Sequence, residues 1–435
     1  MVYSKINIIT VLSLMTLSYL SLIIQSCGSP EKGGNQVKNY PAQVVDSSAA
    51  SNIDATLKGF VEAGDIAGVS ALVYEKGEEV YFNAFGYADR ENQVPMDRNT
   101  IVKIYSMTKP LTGVALMTLW EQDKFELDDS IGMYIPELAN MQVYTGVDRK
   151  GSVMVQPANR PITVRDLTRH TAGFLNNNKV PGLSELLQQA NTRSIENTLT
   201  QLAEELATVP LWFHPGQQWE YGLCVDMQAL LVERISGQAF DEYLRANVLD
   251  PLDMTETRYY VPEADRGRFA AAYFRSDNGQ LDRTPDQEAH LFNYNHWPLK
   301  PGGYGLTATI DDYMRFARML VNRGTLDSVT ILQPETVDMM ATNQLSDSVK
   351  ERSFLAGKGE VGFGIDFAVR LRPPASKDEN FGVVGEYFWD GAASTLFWVD
   401  PTNELVAVLF VQLRPYDQIG LHRSFRKAVY SSIIK

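Results

Sequence analysis

The chain alternates between two hydrophobic periodicities, and the changeovers lay out its architecture. From Ser51, the apolar residues Ile53, Leu57, Phe60 and Val61 recur at helical spacing. Residues 68–74 (GVSALVY) and 80–85 (VYFNAF) are then runs of strand-forming residues separated by Glu75-Lys76-Gly77-Glu78. Two such runs around a Gly-containing turn predict a β-hairpin. Ile101-Val102-Lys103-Ile104-Tyr105 reads as an extended segment leading to Ser106. After it, Leu111, Val114, Ala115, Met117, Thr118 and Leu119 form an apolar-rich helix. Pro110 falls in its opening turns, and Pro is tolerated only near a helix start. The helix is therefore predicted to begin at or just after Ser106, with its first N–H groups at the serine.

Further on, residues 140–160 alternate in Val and Met around Asp148-Arg149-Lys150-Gly151, which predicts a second hairpin. Residues 163–300 carry mostly helical pattern with long polar connections, and 306–320 read as one more helix. Strand patterns return at 362–371, 383–389, 395–399 and 405–413, before a last helix at about 418–434. Strands at both ends with helices between them predict an α+β fold. One antiparallel sheet is built from both chain ends and flanked by helices, with a mostly helical lobe, about 111–300, inserted in the middle.

Composition adds limits. With 435 residues the chain exceeds one small core, and 44% apolar with 21% charged residues is ordinary globular usage. Lys and Arg number 39 against 53 Asp and Glu, a net of −14. That disfavours nucleic acid, whose binding rests on neutralising phosphates.

The first 27 residues are expected to be an export signal: Lys5 is followed by an uncharged aliphatic stretch from Ile8 to Ile24. A retained transmembrane anchor is the competing reading. Ile24-Gln25-Ser26-Cys27 resembles a bacterial lipobox, which would make Cys27 the lipidated mature N-terminus of an exported, membrane-anchored lipoprotein facing the periplasm or cell exterior. Residues 28–50, rich in Gly, Ser, Lys, Pro and Gln, read as a flexible tether, leaving 51–435 as the folded domain. With Cys27 lipidated, the other cysteine, Cys224, reads as a small buried hydrophobe.

The candidate chemistry lies at Ser106-Met107-Thr108-Lys109. Residues three apart share a helix face, so the Lys109 amine can reach the Ser106 hydroxyl. A serine is a weak nucleophile until a neighbouring base takes its proton, and a lysine can be that base when its pKa is lowered. The same S-x-x-K spacing recurs at Ser29/Lys32, Ser424/Lys427 and Ser432/Lys435. Only Ser106 combines a preceding extended segment, a helix start and a buried helix.

In this context Ser106-Met107-Thr108-Lys109-Pro110 resembles the nucleophile motif of the serine β-lactamase and penicillin-binding-protein superfamily, most closely its class C-like members and their carboxylesterase relatives. The similarity spans about residues 51–430. It includes the segment from Ile162 through His170-Thr171-Ala172-Gly173-Phe174, Pro215 through Tyr221, Gly302-Gly303-Tyr304-Gly305-Leu306, and Phe397 through Pro401. The resemblance makes Tyr221 of Tyr221-Gly222-Leu223 the phenol of the family's Tyr-x-Asn motif, with Leu223 in place of Asn, as in the esterase branch. It places Trp389-Asp390-Gly391 where lactamases have Lys-Thr-Gly, and it gives the oxyanion hole to the backbone N–H groups of Ser106 and Ala392. Trp389, Asp390, Gly391 and Leu223 would contact substrate. Losing the motif lysine removes the charge that would meet a β-lactam carboxylate. An Asp390 pointing into the cleft would favour neutral or cationic acyl substrates.

The five histidines, His170, His214, His290, His296 and His422, form no metal-binding pattern, and no G-x-S-x-G elbow occurs. His170 reads as a loop-bonding structural residue, and Gly302, Gly303 and Gly305 as a turn beside the cleft. The resulting expectation is a cofactor-free serine hydrolase that forms an acyl-enzyme from a small ester. D-amino-acid peptidase, amidase or β-lactamase activity stays open, as does a non-catalytic penicillin-binding-like lipoprotein. Oligomeric state has no signal in the sequence.

Overall fold

The computed structural model describes residues 43–176, 179–349, 355 and 357–434, so Cys27 and most of the expected tether lie outside the described residues. Order begins earlier than residue 51. The Val44 and Val45 N–H groups donate to the buried Glu75 carboxylate. Asp46 then caps helix α1 (Ser47–Glu62) by accepting from the N–H groups of Ser48 and Ala49. The predicted tether therefore does not extend past Gln43, because Val44 and Val45 bury their side chains.

The α+β architecture is as predicted. Strands β1 (Gly68–Glu75), β2 (Glu78–Asp89) and β3 (Val94–Pro95) come from the N-terminal end. Strands β4 (Val361–Phe363), β5 (Ala368–Arg370), β6 (Tyr387–Asp390), β7 (Leu396–Asp400) and β8 (Leu405–Phe410) come from the C-terminal end. They form one eight-stranded sheet in the order β4-β5-β6-β7-β8-β1-β2-β3. The two ends meet where β1 pairs antiparallel with β8, Ser70 opposite Phe410. Lys76 and Gly77 turn the β1–β2 hairpin with φ of 54° and 84°. Positive φ at both positions matches the right-handed twist of the flanking strands.

Helix α4 (Ile310–Val321) and helix α5 (Leu421–Val429) cover opposite faces of the sheet. Adjacent strand residues point to opposite faces. On β7, Phe397 meets Tyr313 and Phe316 of α4, while its neighbour Trp398 meets Phe425 of α5. The inserted lobe centres on α2 (Thr108–Trp120) packed against α3 (Cys224–Ser236). Every α2 residue from Thr108 to Leu119 is buried. A helix apolar all round belongs inside a core.

Some boundaries differ from expectation. The 362–371 run is two strands, because Gly364 and Asp366 (φ 58°) turn the chain between β4 and β5. The helix expected from 306 starts at Ile310, where Thr309 caps it; Thr307–Ala308 instead pairs with Val102–Lys103. The 140–160 hairpin is present as Gln142–Val147 and Val153–Pro157.

Candidate active site

Ser106 sits in a single tight turn, Tyr105–Met107, between the extended Val102–Lys103 and α2. The helix itself starts at Thr108, just after Ser106 as expected. Tyr105 holds φ at 48°, a strained value for a bulky residue. Such strain persists only where the surroundings over-determine the backbone. Here the Ile104 N–H donates to Leu306 O at 3.1 Å, and Tyr313 OH donates to Met107 O at 2.8 Å. The half-buried Ser106 side chain is thus held on both flanks.

Lys109 projects from the first turn of α2 and is 5% exposed. Its Nζ lies 3.2 Å from Ser106 Oγ and donates to Gly303 O at 2.6 Å. The glycine turn therefore has a specific task. A Cβ on Gly303 would stand 3.3 Å from Lys109 Nζ and 3.2 Å from both Asp226 oxygens, and one on Gly302 would strike Val225 O at 2.3 Å. Gly303 N–H donates to Asp226 Oδ1 at 3.0 Å. Burial pushes the Asp226 carboxyl up to about 6, against the pull of Lys109. Burial likewise holds the Asp366 carboxyl well above its usual range, with Lys109 opposing.

Tyr221 comes from the loop before α3, fixed by Asn176 Nδ2 donating to its carbonyl at 2.8 Å. Its ring stacks on Trp219 and lies 4.5 Å beneath Lys109 Nζ, and its hydroxyl accepts from Trp389 Nε1 at 3.3 Å. His170 packs edge-on against this phenol, with ring centroids 4.9 Å apart. His170 is structural and bonds a loop, through its backbone rather than its ring, whose two nitrogens have no hydrogen-bond partner among the described residues. The backbone does that work, His170 O accepting from Glu220 N–H. Burial, assisted by Lys109, keeps the ring neutral. Burial also raises the Cys224 thiol, which leaves it inert.

The third segment arrives at the end of β6. Gly391 packs against the serine turn so closely that a Cβ would lie 2.6 Å from Ile104 O. The 391–394 turn is closed by Gly391 N–H to Thr395 O and Ser394 N–H to Gly391 O, with Ala392 exposed at its tip. Ser106, Tyr221, Trp389, Asp390, Gly391 and Ala392 line one cleft of about 300 Å³, together with Leu355, Lys358 and Tyr416. Leu223 is not among the lining residues; it opens α3, half-buried against the core.

Lys358, Tyr416 and Asp226 were not foreseen. Asp226 left a trace, a lone acid in the apolar run Cys224–Val232. Lys358 left none, since its segment has no period. The structure also changes the reading of Asp390, because its Oδ2 accepts from Lys358 Nζ at 2.6 Å and from Tyr416 OH at 2.5 Å. Lys358 holds this half-buried carboxyl below its usual range against the effect of desolvation. Its charge is cancelled inside the protein, which removes the reason to expect cationic substrates.

Comparison with known proteins places this geometry. The Beta-lactamase family profile matches residues 53–429. An uncharacterized protein of Mycobacterium tuberculosis is 34% identical over 83% of this chain and 89% of its own length. The lovastatin esterase of Penicillium rubens is 28% identical, covering 87% of this chain and 98% of the esterase. The crystal structure of simvastatin synthase (LovD) from Aspergillus terreus superposes with a TM-score of 0.77 at 24% identity, covering 90% of this chain and 100% of that one, which shows the shared fold. The chain belongs to the Beta-lactamase family, within the serine β-lactamase and penicillin-binding-protein superfamily, and is an enzyme of its esterase-like serine hydrolases.

Proposed function

We propose that this enzyme is a carboxylesterase acting on small neutral esters through an acyl-enzyme at Ser106. The observation that carries the reading is the 3.2 Å separation of Lys109 Nζ and Ser106 Oγ in a cleft shared with the Tyr221 phenol. Ser106 Oγ bonds to the ester carbonyl carbon while Lys109 takes its proton. The oxyanion is met by the N–H groups of Ser106 and Ala392, donors of the kind that often supply the largest electrostatic share of catalysis. Tyr221, under the Lys109 ammonium, relays a proton to the leaving alcohol as its C–O bond breaks. Water then adds to the acyl carbon, returns its proton through the same groups and frees Ser106. An acceptor alcohol in place of water completes acyl transfer instead.

Trp389 and Leu355 give the cleft apolar walls. The esterase named among the relatives supports ester over amide substrates. Turnover of para-nitrophenyl esters from acetate to octanoate, measured beside penicillins and cephalosporins, tests the preference. Faster turnover of the β-lactams overturns it. The export reading belongs to the same proposal: Cys27 carries the lipid, and a Cys27→Ser chain released from the membrane fraction is the expected result.

A further inference from the structure

The motif that gives lactamases a cleft lysine is Trp389-Asp390-Gly391 here, yet the cleft contains a lysine all the same. Lys358 reaches it from a separate segment and is 4% exposed. It is not a surface lysine folded inward by chance. Its carbonyl accepts from Arg370 Nη1 at 3.2 Å. Arg370 Nε and Arg426 Nη1 both donate to Glu386 Oε1 at 2.9 Å, and all three side chains are fully buried. The backbone that presents Lys358 is therefore clamped from below.

The ammonium faces three groups. Asp390 Oδ2 accepts at 2.6 Å, Tyr416 OH accepts as well, and His422 Nδ1 stands 3.5 Å away. Tyr416 OH donates onward to the same Asp390 oxygen at 2.5 Å. His422 is itself fixed behind the turn, its Nε2 2.7 Å from Ser394 O. An ammonium and a phenol converging on one carboxylate oxygen form a compact anion-binding arrangement. The bound anion is a side chain of the cleft wall.

We infer that Lys358 and Tyr416 form an anion subsite in the acyl cleft that Asp390 fills from within the chain, so that acyl groups ending in a carboxylate are refused. The inference rests on the proposed acyl-enzyme reading of the cleft. It makes Asp390 a specificity residue: vacating it admits a substrate carboxylate to the same two donors. A purely structural ion pair would behave otherwise, its loss lowering turnover of all esters alike.

The experiment compares para-nitrophenyl butyrate with the para-nitrophenyl monoester of succinic acid, whose acyl chain has the same length but ends in a carboxylate. The anionic-to-neutral ratio of kcat/KM is expected to rise at least tenfold in Asp390→Ala and Asp390→Asn, and to return to the wild-type value in Lys358→Met/Asp390→Ala. A ratio unchanged in both single variants overturns the subsite while leaving the esterase reading intact. A second arm does not depend on turnover. At constant ionic strength, sodium acetate replacing chloride should raise the melting temperature of Asp390→Ala more than that of the wild type; equal shifts overturn the inference. If neither ester is hydrolysed by the wild type, the esterase reading fails and the acetate arm alone decides the subsite. If Asp390→Ala does not fold in chloride, refolding yield in acetate replaces the melting curve, with recovery supporting the subsite and no recovery overturning it.

Discussion

Gly391→Ala is a small change with a large expected effect. Gly391 has no need of unusual φ, so the penalty is one of space alone. The new methyl would lie 2.2 Å from Thr395 Oγ1 and 2.6 Å from Ile104 O. The threonine hydroxyl can rotate away. The Ile104 carbonyl cannot, because it is backbone and must retreat to at least 3.0 Å. Ile104 immediately precedes the strained Tyr105–Ser106 turn, and Gly391 precedes Ala392. The displacement therefore separates the two N–H groups assigned to the oxyanion. Misplacement by about 1 Å costs about 100-fold, so this smaller shift should lower kcat/KM for a neutral ester by about 10- to 100-fold. Overpacking should cost about 1–3 kcal/mol of stability, read by urea unfolding. Gly59→Ala is the control: it lies in α1 with no atom within 4 Å of the added carbon, and should leave activity unchanged while stabilising by about 0.5–1 kcal/mol. A Gly391→Ala enzyme within threefold of wild-type kcat/KM would show that the close approach of Gly391 to Ile104 does not set the oxyanion geometry.

Other expectations follow from single contacts. Tyr221→Phe keeps the stacked rings but removes the phenol oxygen that Trp389 Nε1 meets; kcat should fall about 100- to 10,000-fold while the urea midpoint moves by no more than about 1 kcal/mol. Asp226 binds its proton up to about pH 6 when folded, against 3.8 as the reference, so the folded state holds the extra proton in that window. Raising pH through it should therefore cost the wild type about 3 kcal/mol, and Asp226→Asn should lack that loss in pH-dependent unfolding. Glu386→Ala leaves Arg370 and Arg426 buried without their shared carboxylate, and should destabilise by about 3–5 kcal/mol in chemical denaturation.

What was legible in the sequence was what is local. Ser106 and Lys109 lie one helical turn apart, so spacing alone could pair them. Two strand-forming runs around Gly77 announced a hairpin, and its turn takes positive φ at both Lys76 and Gly77. The double-sided burial of β7 and β8 showed as unbroken apolar runs. Where reading failed, a tertiary contact or a short turn outweighed pattern. The 362–371 run concealed a reversal at Gly364–Asp366, marked only by one glycine and one acid inside an otherwise strand-like stretch. Thr309-Ile310-Asp311-Asp312 carried a capping signal that fixed the true start of α4, but the apolar residues before it masked the boundary. Lys358 and Asp390 are 32 residues apart. Their pairing depends on how β4, β5 and β6 are laid side by side, and nothing in either neighbourhood encodes it. The Asp390 charge was visible; its neutralisation was not.

One labelling measurement reaches both the nucleophile and its base. Folded wild-type protein treated with a fluorophosphonate probe should carry the label on the peptide containing Ser106, by mass mapping. Ser106→Ala should carry none, and Lys109→Ala should label at least a hundredfold more slowly at the same pH. Label on another residue, or equal labelling rates with and without the Lys109 amine, would show that Ser106 and Lys109 are not the nucleophile and its base.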